Sequence, residues 1–168
     1  MKFESLDYVI RQCEQHLDAA NMRNTEIESY FVQYLLVRIC AEYEARVTTL
    51  VHRRCSRTGD PHLMSFAQKT AKYICKRFDI KDINQILEKF GNDYKQAFDS
   101  QVMSGNSASI APHIAWNNIY TNRHAVAHQI GMQMSFGDLK ANYKDSLVVL
   151  DALVSALNLT QAEIVDLV

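Results

Sequence analysis

At 168 residues and 48% apolar content the chain is long enough to bury one sizeable core, and no shift in composition marks a second domain, so residues 1–168 are read as one unit. Eighteen basic against nineteen acidic residues leave a net charge of -1, which excludes a global field that draws in nucleic acid. Five glycines and two prolines argue against a sheet protein, and the lack of any apolar run of about 18 residues excludes a membrane span.

Met1 to Asp7 lacks the basic start and apolar stretch of a signal peptide, so a cytoplasmic protein is expected. Cys13, Cys40, Cys55 and Cys75 have no paired spacing and read as free thiols. Cys13-x-x-His16 and His52-x-x-Cys55 could be assembled into a zinc site, but Cys13 sits in an apolar helical stripe.

In chain order, Phe3, Leu6, Ile10, Cys13 and Leu17 recur at helical spacing and predict a first helix ending near Asn21. Thr25-Glu26-Ile27-Glu28 has the form of a capping box and opens a second helix running to about His52. That helix has two apolar stripes. One is Val32, Leu36, Ile39, Cys40, Tyr43, Val47 and Leu50; the other passes through Ile27, Tyr30, Tyr34, Val37 and Ala41 to Glu44. A helix apolar on two sides is expected at the centre of its bundle. Arg38 and Glu42, four apart, suit a surface pair.

Arg53 to Asp60 reads as a basic loop, and Pro61 as the start of a third helix with Leu63, Phe66, Ala67, Thr70 and Ile74 inward and Lys69, Lys72 and Lys76 outward. Asp82 is placed as the cap of a short helix stopped by Gly91, and a further helix runs from about Asp93 to Met103, unless the two are one kinked segment. Ser104 to Ser109, small and polar, reads as a connector or a substrate-binding loop. A helix from Pro112 to Gly131 follows. Ser135 caps a last long helix with a stripe of Leu139, Tyr143, Leu147, Leu150, Val154 and Leu157, and Thr160-x-x-Glu163 starts a closing turn. The product is an all-α antiparallel bundle of about five to seven helices.

The helix from Pro112 carries the chemistry, in Trp116 to Gly131, WNNIYTNRHAVAHQIG. At about 100° per residue Asn117, Thr121, His124 and His128 share a polar stripe, whereas Arg123 falls among Trp116, Ile119 and Tyr120, roughly 140° from His128. A guanidinium on an apolar side needs an anionic partner or an opening to solvent. Glu44 is the best available partner, or else the helix sits at a subunit seam. Trp116, Tyr120 and Tyr43 read as core.

Two histidines at i,i+4 invite a zinc-hydrolase reading, but Ala125 stands where the catalytic glutamate belongs and no third ligand has a recognisable spacing, so no metal and no cofactor are expected. Arg123-x4-His128, with His124 after the arginine and late in a helical chain of this size, resembles the R-x4-6-H signature of the HEPN superfamily. The long second helix with its internal Glu44, and a motif helix followed by one more helix, are similar to that layout.

The resemblance implies a metal-independent endoribonuclease, active as a homodimer with motif helices facing across a cleft, serving as a toxin or anti-phage effector with an antitoxin or other partner protein. It implies Arg123 and His128 as the catalytic pair, His124 beside them, and Glu44 and Asn122 in support. Ile130 stands where some such toxins carry a modifiable tyrosine, so that control is not expected.

The chemistry is consistent: RNA supplies its own 2′-hydroxyl nucleophile, so a base and a fixed cation suffice. Arg53, Arg54, Lys69, Lys72 and Lys76 lie in a locally basic stretch suited to an RNA backbone, or to a solvated helix face. The alternative is a non-catalytic helical module that binds a protein or a nucleotide.

Overall fold

A computed structural model describes residues 2–74, 78–103, 110–128 and 134–164, apart from the side chains of Ala71, Lys72, Ile74 and Gln161. Its order is α1 (Glu4–Ala19), α2 (Glu26–Ser56), α3 (Pro61–Ile74), α4 (Ile80–Phe90), α5 (Asn92–Val102), α6 (Pro112–Ala127), α7 (Phe136–Ala156) and a single 3-10 turn at Gln161–Glu163. Among the described residues there is no strand, and the molecule is an all-α bundle. No helix among them is long and apolar enough to cross a membrane.

The inner stripe of α2 builds the centre. Val32, Leu36, Ile39, Cys40, Tyr43, Val47 and Leu50 are all buried, together with Leu6, Ile10 and Leu17 of α1 and Leu139, Leu150 and Leu153 of α7. Helix α7 packs along α2, α5 and α6, and α6 in turn lies on α2. At the heart of this packing the Tyr43 ring stacks on Trp116 at 4.4 Å between centroids. The Tyr43 hydroxyl meets Ser146 Oγ at 2.7 Å, and Trp116 Nε1 donates to the Phe78 carbonyl at 2.7 Å.

Several sequence expectations are corrected. The outer stripe of α2 is not central: Ile27, Tyr30, Tyr34 and Val37 keep 41%, 53%, 48% and 48% of their surface exposed. The same helix continues through Arg53 and Arg54 to Ser56, because Leu50, Val51 and Cys55 still find core, so the basic loop begins only at Arg57. Thr25 makes no side-chain cap; its hydroxyl bonds the Met22 carbonyl. Glu28 is drawn inward instead. Its two oxygens accept from the Asn24 amide at 2.6 Å and from the Phe136 amide at 2.7 Å, so this buried carboxylate ties the entry of α2 to the start of α7. An anion at a helix N-terminus meets unpaired amides there, which suits a buried charge.

Asp79, not Asp82, caps α4 by accepting from the Asp82 amide, while Asp82 accepts from Phe78. Helices α4 and α5 are distinct and meet at Gly91, whose φ of 139° lies where side chains other than glycine are strained. Ser135 and Asp138 form the full capping box of α7. On α3 the expected inner face is half open: Ala67 and Thr70 are partly buried, but Leu63 and Phe66 are exposed, because among the described residues α3 packs mainly on α2 and α4. Ile74 lies outside the described side chains.

The closing turn is held by Glu163, which accepts from the Thr160 amide and hydroxyl and from Arg57. The Arg57 hydrogen bond, helped by Thr160, holds the Glu163 carboxyl at about 2, below its ordinary 4.5. A depressed acid stabilises the fold fully above its ordinary value and loses that contribution as pH falls toward 2. The melting difference between wild type and Glu163→Gln is therefore expected to shrink through this window. A difference that is unchanged or grows on acidification contradicts the link.

Candidate active site

Helix α6 starts on Pro112 at its first turn, where a missing N–H costs nothing, and His113 Nδ1 lies 3.1 Å from the Val102 carbonyl at the end of α5. Asn117 Oδ1 accepts from the Ile80 amide, so this member of the polar stripe serves the start of α4. Ala115, Trp116, Ile119 and Tyr120 are buried, and the helix closes at Ala127. The closure is earlier than Gly131, which lies outside the described residues, as does the 104–109 connector.

Stacking of Trp116 on Tyr43, and the approach of Arg123 to Cys40, make α6 run antiparallel to α2. Arg123 continues the Trp116 to Ile119 line of the helix yet is exposed, as is Ala127 one turn on. The core-facing side of α6 thus emerges into solvent over its last turns. No carboxylate among the described residues comes within ion-pair distance of Arg123, so the expected bridge to Glu44 is not formed. Glu44 is half-buried nearby, and Glu42 pairs with Arg38 at 3.6 Å as its spacing implied. Burial pushes the Cys40 thiol up to about 12, with Arg123 pulling down and Glu44 pushing up.

His124 and His128 are both exposed, and their rings lie 4.2 Å apart, tilted by 55°. His128 occupies the C-cap position with φ -103° and ψ 10°, its amide bonding the His124 carbonyl. Asn122 is turned back along its own helix, donating to the Asn118 carbonyl at 2.9 Å. The helix end therefore presents one guanidinium and two touching imidazoles to solvent. Such a set can hold an anion and exchange protons with it.

The basic residues lie elsewhere. Arg53 and Arg54 are in the last turn of α2, and Arg54 bonds the Tyr94 hydroxyl while its guanidinium sits 5.4 Å over that ring. Lys69 is exposed on α3; the Lys72 side chain and Lys76 are outside the described residues. Cys13, Cys40 and Cys55 are free and buried, and among the described residues no three His, Cys, Asp or Glu side chains gather as a metal site.

The family model described as RiboL-PSP-HEPN matches residues 4–159, nearly the whole chain. The chain belongs to the RiboL-PSP-HEPN family. No curated protein and no solved structure matches it. Membership in this HEPN family agrees with the seven α-helices among the described residues and with the superfamily that Arg123-x4-His128 resembles, a group of toxin- and ribonuclease-type proteins. Two features of this HEPN chain have no counterpart in the sequence reading: the open outer stripe of α2, and a groove beside α3. The exposed side of the former was signalled by Tyr30 and Tyr34, tyrosines four apart with polar tips.

Proposed function

We propose that this HEPN protein is a metal-independent endoribonuclease, residues 1–168 acting as one domain, in which Arg123, His128 and His124 cut RNA through its own 2′-hydroxyl. The observation that carries the reading is the solvent-facing His124–His128 pair at 4.2 Å beside an exposed Arg123 at the same helix end. His128 takes the proton of the 2′-hydroxyl as its oxygen attacks phosphorus. Arg123 stabilises the charge that builds on the non-bridging oxygens. His124 gives a proton to the departing 5′-oxygen. The products are a 2′,3′-cyclic phosphate and a 5′-hydroxyl end, and DNA is left intact. Glu44 and Asn122 support the site, Glu44 through its field and Asn122 by bracing the motif helix.

The active form in this reading is a homodimer. Support comes from α2, whose exposed Ile27, Tyr30, Tyr34, Val37 and Ala41 form an apolar strip about 21 Å long. Contiguous apolar surface of this kind marks an interaction site. The antiparallel run of α6 sets its catalytic end beside the same half of α2. Val37→Glu combined with Tyr34→Glu is expected to give a folded monomer by light scattering and to lose RNA cleavage. A folded, fully active monomer overturns the dimer.

The biological role proposed is that of a toxin or defence effector acting in the cytoplasm, held in check by a partner protein. The direct test is incubation of purified protein with RNA in EDTA, with the ends of the fragments analysed. Cyclic phosphate termini are expected; intact RNA, or cleavage abolished by chelation, counts against the mechanism.

A further inference from the structure

On the far side of the bundle, the open face of α3 leaves a groove of about 470 Å³ between the end of α2, α3 and α4, lined by Arg54, Arg57, Leu63, Phe66, Ala67 and Phe90. It runs on into a smaller hollow of about 120 Å³ that shares Phe66, Ala67 and Phe90 and is rimmed by Lys89. Phe66 forms the lip: it lines both parts yet is 68% exposed, the opposite of what its place on the expected inner face implies. A phenylalanine so exposed beside a second aromatic wall offers a ring face to a flat ligand.

The charges around it have one sign in excess. Arg57 is neutralised by Glu163. The partner of Arg54 is the neutral Tyr94 phenol, so its positive charge is left on the groove wall. Exposed Lys89 rims the smaller hollow, and exposed Lys69 follows Phe66 by three residues on α3, beside Thr70 of the lining. Aromatic faces interleaved with cations are the means by which proteins grip unpaired nucleic acid: bases stack while the cations follow the phosphates. An apolar groove meant for a neutral helix has no use for that excess charge.

We propose that this groove is a second RNA-holding site, which takes an unpaired base against Phe66 and Phe90 and the flanking phosphates on Arg54, Lys69 and Lys89. The proposal rests on RNA being the substrate and adds where the strand is held away from the scissile bond. Arg54 is eleven residues along α2 from Tyr43, on which Trp116 of the motif helix stacks, so the groove and the motif helix meet α2 about 16 Å apart. A strand must be several nucleotides long to engage both.

The test uses the full-length His128→Ala protein, so that binding is read without cleavage. It is titrated by fluorescence anisotropy with a labelled unstructured oligouridine of about twenty nucleotides and with a trinucleotide. Phe66→Ala on this background is expected to weaken the long RNA by about tenfold or more and to leave the trinucleotide unaffected, with Phe66→Trp restoring affinity. In the active protein, Phe66→Ala raises KM for long RNA with kcat retained. Unchanged affinity for the long RNA overturns the anchor and leaves the cleavage mechanism untouched. Equal losses for both RNAs, or an α3 groove that binds an acidic helical peptide while RNA affinity ignores Phe66, overturn it as well. Absence of cleavage by the active protein with the Phe66 binding effect intact sinks the nuclease reading alone.

Discussion

His128→Ala is expected to lower RNA cleavage by about 10²–10⁴-fold, the usual contribution of a positioned general base, while melting temperature and oligomeric state stay at wild-type values. The structural part of that expectation follows from where the residue sits. His128 is exposed at the C-cap of α6, and its backbone, not its ring, makes the closing bond to His124. Removing the imidazole breaks its 4.2 Å contact with His124 and leaves no hole in the core. Arg123→Ala is expected to behave alike, because Arg123 too is exposed and closes no ion pair among the described residues. Cleavage assays with circular dichroism and light scattering on each variant separate the outcomes. Loss of activity without loss of fold supports catalysis; full activity in either variant removes that residue from the mechanism, and full activity in both favours a binding module.

Trp116→Ala is expected to act in the opposite way, destabilising the protein by about 3–5 kcal/mol and abolishing activity only through unfolding. Trp116 is fully buried, stacked on Tyr43 at 8° between planes, and its indole N–H is spent on the Phe78 carbonyl just before α4. Truncation opens a cavity where α2, α6 and the entry to α4 meet, and strands a carbonyl. Trp116→Phe keeps most of the stack and loses the donor, so its cost should fall to about 1–3 kcal/mol. Denaturant unfolding measures both. A Trp116→Ala penalty below that of Trp116→Phe contradicts the packing account.

Sequence periodicity was sufficient wherever one partner decided the matter. The inner stripe of α2, the Ser135 cap of α7 and the burial of Tyr43 and Trp116 all followed from spacing, since each depends on local geometry plus one apolar neighbour. It failed where a side chain had two possible employers. Glu28 has the offset of a capping box, but a buried amide at Phe136, 108 positions away, competes for the same carboxylate. The outer stripe of α2 recurs at the same spacing as the inner one, and spacing says nothing of whether a helix of the same chain covers it; only the polar tips of Tyr30 and Tyr34 set the two apart.

Arg123 illustrates the same limit within the candidate site. Helical geometry set it on the buried line of α6, but whether the bundle extends that far depends on the length of α6 relative to its neighbours, which no local pattern encodes. Leu63 and Phe66 on α3 fail for that reason also. Their spacing is amphipathic, yet among the described residues α3 rests mainly on α2 and α4.

The position of α7 bears on how the protein is made. Helices α2, α5 and α6 all lean on it, and the Tyr43 hydroxyl finds Ser146 across 103 residues. The inner faces of α2, α5 and α6 therefore have their covering helix only after the chain has been made past Ala156 and α7 has left the ribosome. The end of α6 that carries the candidate site is thus braced only after α7, the helix it leans on, has docked.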